Sequence, residues 1–469
     1  MIHRTKSPLG IDDWYPVLRG GTAPLATIST NDPNAYDKVL DACEELEDGQ
    51  RLVLLGSTVR TGGRSDLSQL EDALRGNGTR ERFIVFPGTG GAFTLLPTVD
   101  RTALRAGISL LPSGRLRGRA LWTVLRTLTP FGVAQRLGRP ELTIWTKGPD
   151  QRAELDLPIL PVAGSIAIAA GVPDRNQKII VRALDRRGAA RAIVKIGRSI
   201  RTDDAVEREA DVLTQVDEIL DGRAPRLLAH GQRAGRTWLA QEVIEGRHSG
   251  TLITPAHAEF LLALGQPTLA RVPLEDLHTY KDSQRNLSNL RAEFDPDWHA
   301  DYSRLRDALS LVSDSDDVPV TAAHGDFTPW NTRLCRGQLR AFDWEYFSLV
   351  APAAYDLAHF HMQASVLVRQ FPGERIFDSL PGFFRGPAAE VVRGLALQPS
   401  DIIRALGLYI LHEGTAAEVL ERQQPAPFDQ ASWLRRARLE ICHRIAGLLL
   451  ERRVPSWALF ATKSRSRAA

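Results

Sequence analysis

Asp326, Asn331 and Asp343 are spaced for chemistry on phosphate. They stand in His324-Gly325-Asp326-Phe327-Thr328-Pro329-Trp330-Asn331 and in the Phe342-Asp343-Trp344-Glu345 that follows. Moving a phosphoryl group from a nucleotide to a hydroxyl asks little covalent help of a protein. It needs a carboxylate at the accepting hydroxyl, oxygen ligands for magnesium, and a cation on the donor phosphates. Asp326 can supply the first. Asn331, five residues on, can offer an amide oxygen to the same site, and Asp343, twelve further, a second carboxylate.

Those ligands must be folded together. Asn331 to Leu334 and Leu339 to Phe342 read as two strands around a turn at Arg336-Gly337. A hairpin returns the second metal ligand to the first. Upstream, Ser165 to Ala170, Lys178 to Leu184 and Ala190 to Ile196 read as three strands, with Asp185-Arg186-Arg187-Gly188 as the turn between the last two. The third carries Ala192-Ile193-Val194-Lys195. A lysine closing a β-branched strand is how a kinase holds donor phosphates. Val206, Ala210, Leu213 and Val216 then share one face of a helix.

HGDFTPWN with FDWE after it resembles the aminoglycoside phosphotransferase and choline kinase group, relatives of the protein kinases. The resemblance implies an α+β, bilobal protein-kinase-like fold over about Leu157 to Leu450. It makes Asp326 the catalytic residue at the acceptor hydroxyl and gives magnesium to Asn331 and Asp343. Lys195 then holds the nucleotide and pairs with Glu209. Backbone groups near Glu242 to Ile244, in Trp238-Leu239-Ala240-Gln241-Glu242-Val243-Ile244-Glu245-Gly246, would read an adenine edge. Asp356 either braces the catalytic loop or caps the next helix. Gly325 stands where many protein kinases have arginine, so control by a phosphorylated loop is not expected. The phosphate-covering loop departs from the pattern: 171–177 holds one glycine, though Arg175 could add charge there. His359 and His361 are two apart and do not share a helix face, which argues against a metal site.

Residues 1–150 read as an additional N-terminal partial α/β domain. Ala35 to Leu46 and Ser65 to Leu74 look helical; Arg51 to Gly56, Arg82 to Phe86 and Glu141 to Lys147 look like strands. The stretch faintly resembles the later half of a Rossmann-like methyltransferase, but the glycine-rich first turn is missing. Small-lobe residues 151–245 and large-lobe residues 246–469 complete the expected division. Arg101 to Pro140 holds eight arginines and no Asp or Glu, with Leu121, Trp122 and Val124 among them. Such a helix packs on the body with its arginines in water, or lies on an anionic membrane as a peripheral contact.

Composition sets bounds. The chain has 469 residues, is 43% hydrophobic and 25% charged, and carries a net charge of +3, which disfavours nucleic acid as a partner. Cys43, Cys335 and Cys442 are scattered, so neither a disulfide framework nor a zinc site is expected. No apolar stretch suits a bilayer span, and cytoplasmic is the default location. The resulting reading is an ATP- and Mg2+-dependent phosphotransferase acting on a small-molecule hydroxyl, with a sugar or glycan-related acceptor suggested. Acidic residues for the acceptor pocket are Glu413, Glu418, Glu421 and Asp429, mixed with arginines. Two other readings are a nucleotide-binding pseudokinase scaffold and a bifunctional protein with a methyltransferase-like N-terminal region.

Overall fold

The computed structural model describes residues 176–462 apart from 186, 188, 234, 291–295, 314–316 and 423–428. Before them it describes 25–29, 51–57, 78–87, 93–98, 101–108, 123–124, 127–129, 140–147 and 165–170. The expected helices at 35–46 and 65–74 and the phosphate-covering residues 171–175 lie outside the described residues. So do six of the eight clustered arginines: 115, 117, 119, 126, 136 and 139.

The chain forms two compact units, residues 1–210 with 226–243, and residues 211–225 with 244–469. The first is built on one ten-stranded sheet. Its strands are β1 Leu25–Ser29, β2 Arg51–Ser57, β3 Gly78–Pro87, β4 Phe93–Pro97, β5 Pro140–Lys147, β6 Ser165–Ala170, β7 Ile179–Leu184, β8 Ala190–Ile196, β9 Leu227–Arg233 and β10 Arg236–Gln241. They run in the order β1-β2-β5-β3-β4-β6-β7-β8-β10-β9. β1 and β2 pair in parallel, and every other neighbour is antiparallel. The expected N-terminal strands therefore continue the strands that carry Lys195: β4 pairs with β6 from Phe93↔Ala170 to Leu95↔Ile168. Helix α1, Arg101–Gly107, lays Leu104 on a buried cluster with Ile84, Phe86, Leu96 and Ala167, while Arg101 and Arg105 stay exposed.

The β7–β8 turn is held by Asp185, whose Oδ1 accepts the amides of Arg187 at 2.8 Å and Ala189 at 2.9 Å. Helix α2, Ile200–Leu220, starts at a reciprocal cap. The Ser199 amide donates to Thr202 Oγ1 at 2.8 Å, and the Thr202 amide returns to Ser199 Oγ at 3.4 Å. Val206 and Ala210 pack against Leu239 and Leu227.

In the second unit two small sheets and a set of helices frame the loops. β11 Arg247–His248, β14 Thr332–Cys335 and β15 Gln338–Ala341 form one sheet; β12 Ala270–Val272, β13 Val318–Ala323 and β16 Ser348–Pro352 form the other. Every residue of β13 is buried, so the strand enters the loop at His324 as a fixed rod. The helices are α3 Pro255–Gly265, α4 His278–Leu290, α5 Pro296–Ser313, α6 Tyr355–Gln363, α7 Gly373–Phe383, α8 Pro387–Gly394, α9 Pro399–Arg422, α10 Asp429–Leu450 and α11 Ser456–Thr462. Among the described residues no helix is long and apolar enough to cross a membrane.

Candidate active site

β13 delivers the chain to a loop that backbone geometry alone would not hold. Gly325 has φ 84°, and a Cβ there would come within 2.1 Å of the Tyr346 carbonyl oxygen. Only glycine meets both demands. Asp356, in the first turn of α6, accepts the amides of His324 at 2.7 Å and Gly325 at 3.0 Å. It is buried, which pushes its carboxyl upward, against the His324 charge and the two amides. The bracing geometry expected of Asp356 is thus present. His324 Nε2–H donates to the Phe342 carbonyl at 3.1 Å, tying this loop to the one that carries Asp343.

The loop's apolar side chains anchor it from below. Phe327 stacks on Phe260 with centroids 5.4 Å apart and meets Phe360 at 5.9 Å. Trp344 is fully buried and donates Nε1–H to the Ala341 carbonyl at 3.0 Å. Such packing fixes the backbone so that the polar side chains keep their aim.

Asp326 is held from two sides. Asn331 Nδ2 donates to Asp326 Oδ2 at 2.8 Å and to its carbonyl at 3.1 Å. His359 Nε2 lies 2.9 Å from Asp326 Oδ1. Burial pulls the His359 imidazole down, but the hydrogen bond to Asp326 and the charges of Glu413, Asp326 and Asp356 outweigh it, and its pKa is raised. An ionised carboxylate needs a donor, so Nε2 carries the proton in this arrangement. His359 is the residue that sequence reasoning missed. Its spacing from His361 was weighed for a shared metal, whereas the helix sends the two rings to different partners.

The hairpin forms as expected. β14 and β15 pair from Thr332↔Ala341 to Cys335↔Gln338, with Arg336 at φ 51° and Gly337 at φ 90° in the turn. Two left-handed residues give the turn whose twist suits a two-residue hairpin. The Phe342 amide donates to the Asn331 carbonyl at 3.0 Å, which sets Asp343 one residue beyond that closure. Asp343 itself has φ 77°, an uncommon backbone for a non-glycine residue. It is close enough to act electrostatically on both His324 and Tyr346, as is Asp326. Asp326, Asn331 and Asp343 are therefore brought together.

Magnesium fits this donor set. The Asn331 amide nitrogen is committed to Asp326, which turns its oxygen the other way, and Asp343 adds a carboxylate. Among the described residues no cluster of three or more His, Cys, Asp or Glu could hold a metal. Magnesium does not require one, since it keeps waters and takes phosphate oxygens beside one or two protein ligands.

In the first unit, Lys195 Nζ sits 2.5 Å and 2.7 Å from the two carboxylate oxygens of Glu209, both side chains buried. Glu209 is thus the partner that the resemblance implied for Lys195. The Glu242 amide donates to the Arg226 carbonyl at 2.9 Å, so it is not a donor for an adenine edge. Ile244 is half-buried.

Of the acidic residues considered for an acceptor, Glu413 is close enough to act electrostatically on His359 and Tyr346. Tyr355 Oη donates to Glu413 Oε1 at 2.9 Å, and Arg438 lies 3.4 Å from Oε2. Burial pushes the Glu413 carboxyl up, but His359, Arg438, His412 and the Tyr355 hydroxyl together hold it low. Glu418 is instead locked to Arg435 by two 2.6 Å hydrogen bonds. The side chains of Glu421 and Asp429 lie outside the described residues.

Residues 175–380 match the model of the phosphotransferase enzyme family, APH. This matched stretch holds both the Lys195–Glu209 pair and the whole Asp326 loop. Among solved structures the chain is similar to a choline/ethanolamine kinase family protein from Mesorhizobium loti, with 17% identity, 66% of this chain and 95% of that one covered, and a TM-score of 0.40. It is also similar to an aminoglycoside phosphotransferase from Streptomyces rimosus in complex with ADP and streptomycin, with 18% identity, 50% and 90% covered, and a TM-score of 0.34. At these scores the reading of the site rests on its own residues. No curated protein matches the chain.

Proposed function

We propose that this protein is an ATP- and magnesium-dependent phosphotransferase that acts on a hydroxyl of a small, sugar-like molecule. The observation that carries the reading is the Asp326 carboxylate, held by Asn331 and His359 in a loop that Asp356 braces. Asp326 orients the acceptor hydroxyl and takes its proton. Asn331 and Asp343 hold the metal. Lys195, steadied by Glu209, meets the donor phosphates, and the Glu242 carbonyl with the Ile244 backbone meets the base. Held by Asn331 and Asp343, magnesium would offset the charge of the donor phosphates.

The acceptor class follows from what surrounds Asp326. Tyr346 is half exposed and feels the charges of Glu345, Asp326, Asp343 and Glu413. An aromatic face beside carboxylates suits a ring bearing hydroxyl groups, which stacks on one and donates to the others. The proposal places the reaction in the cytoplasm, where nucleotide triphosphate is supplied. Peripheral membrane contact through 101–140 has only the arginine-rich composition behind it.

Incubating the protein with γ-labelled ATP, magnesium and pools of sugars and other small alcohols tests this. Label should move to a hydroxylated acceptor, and Asp326→Asn should stop it. Tight Mg-ATP binding with no hydrolysis or transfer in any pool would favour the scaffold reading instead.

A further inference from the structure

On another face of α6 from the Asp326 contact, a cavity of about 230 Å³ opens among the loop at 251–253, the turn after α6, and α7. Leu252, Ile253, Phe360 and Phe383 give it apolar walls. An engineered apolar cavity of about 150 Å³ takes up benzene, so this space suits an aromatic ring with a short substituent. The chain around it is irregular in a way that functional sites favour: Ala364–Val368 is a π-helical turn.

Four polar residues, Thr251, His361, Arg369 and Ser379, line the wall. Ser379 Oγ donates to the Ile376 carbonyl at 2.7 Å and lies 3.0 Å from His361 Nε2. Burial holds the His361 imidazole down at about 4, so it is neutral at physiological pH. Arg369 is then the single charged side chain on the cavity. Its Nη2 donates to the Thr251 carbonyl at 2.7 Å and its guanidinium carbon lies 5.9 Å from the Phe371 ring centroid; among the described residues its Nε and Nη1 have no hydrogen-bond partner, and no carboxylate pairs with it. A half-buried guanidinium with open donors beside an apolar chamber matches a planar carboxylate attached to an apolar body.

We infer that this cavity is a binding site for a compact apolar monocarboxylate, with the carboxylate on Arg369 and the body between Phe360 and Phe383. The Phe360 ring also packs on Phe327 of the Asp326 loop, so an occupant would touch a wall of that loop. The site does not depend on the phosphotransferase reading, because binding is read without turnover.

Three probes of one shape test it in calorimetry and thermal melts of the full chain: 3-phenylpropionate, 3-phenylpropanol and 3-phenylpropylamine. The carboxylate should bind at least about tenfold more tightly than the alcohol, and the amine not at all. Arg369→Met should erase the preference of acid over alcohol. Gly382→Leu offers a block that spares the fold. Gly382 lines the cavity, and a Cβ there meets nothing within 4 Å. The substitution also replaces a glycine inside a helix, which favours stability. It should abolish binding of acid and alcohol while the melting temperature of the free protein holds or rises. Failure of the carboxylate to bind the parent, equal binding of the amine, or undiminished binding in Gly382→Leu would overturn the site.

Discussion

In the first unit Lys195 and Glu209 close on each other, with side chains 6% and 0% exposed. In the second, Asp326 is gripped by Asn331 and His359 yet keeps 27% of its side chain open. The first arrangement spends one charge to fix another; the second fixes a charge and leaves an edge for something else. A buried pair is poor evidence of net stability, because desolvation offsets the attraction. It is good evidence that one ammonium position is specified. The open carboxylate keeps an edge available to a ligand, which is what the proposed role of Asp326 at an acceptor hydroxyl requires.

The sharpest way to break the comparison is Asp326→Asn. An amide there can still bond Asn331 and His359 but takes up no proton. Turnover should fall by ~10²–10⁴-fold, while the melting temperature and nucleotide affinity stay near those of the parent. Steady-state kinetics with a melt on the same preparation decide it. An unchanged rate would remove Asp326 from the chemistry.

The closed pair should answer in stability instead. Glu209→Ala leaves a buried ammonium without its carboxylate and should cost about 3–5 kcal/mol in urea unfolding. The double change Lys195→Met, Glu209→Leu should recover most of that loss while donor binding stays impaired. If the double variant unfolds as easily as the single one, the pair holds the fold together by more than its charges.

The proposed metal ligands come next. Asp343→Ala should weaken magnesium-nucleotide binding by about tenfold or more, ~1.4 kcal/mol, because it removes a negative charge. Asn331→Ala should do less to binding and more to turnover, since it removes no charge but frees Asp326 on one side. Titrating nucleotide with and without magnesium separates the two, and equal binding by Asp343→Ala and the parent would displace the metal.

Much of this site was legible because its residues lie close in sequence. The hairpin follows from Arg336-Gly337, and Lys195 and Glu209 are one strand and one helix apart, so local periodicity locates them. Residues whose partners are distant were harder. His359 meets Asp326 across 33 residues, and spacing along one helix says nothing about which loop faces it. Glu418 looked available for a ligand until Arg435 of α10 was seen to hold it. The N-terminal strands were largely placed, but β1 and β4 were not expected. Phe93–Pro97 is short, and its pairing with β6 reaches across about seventy residues that no local pattern connects.

The smallest effect concerns His359 and separates a grip that titrates from one that does not. Its folded pKa is raised by Asp326, Glu413 and Asp356 against burial. A base whose pKa is higher folded than unfolded lends stability that is fully present below its unfolded value, about 6.5. That contribution fades as pH rises through the folded value. His359→Gln can keep a donor toward Asp326 but cannot titrate. The parent's melting temperature, minus that of the variant, should therefore be larger near about pH 6 than near about pH 8.5. The neighbouring carboxylates are present in both proteins and largely cancel in this difference. A change of about 1 kcal/mol moves Tm by about 2–4 °C in a domain of this size, which sets the resolution required. An equal difference at both pH values would mean that His359 holds Asp326 as a neutral donor throughout, and that its grip is no more electrostatic than that of Asn331.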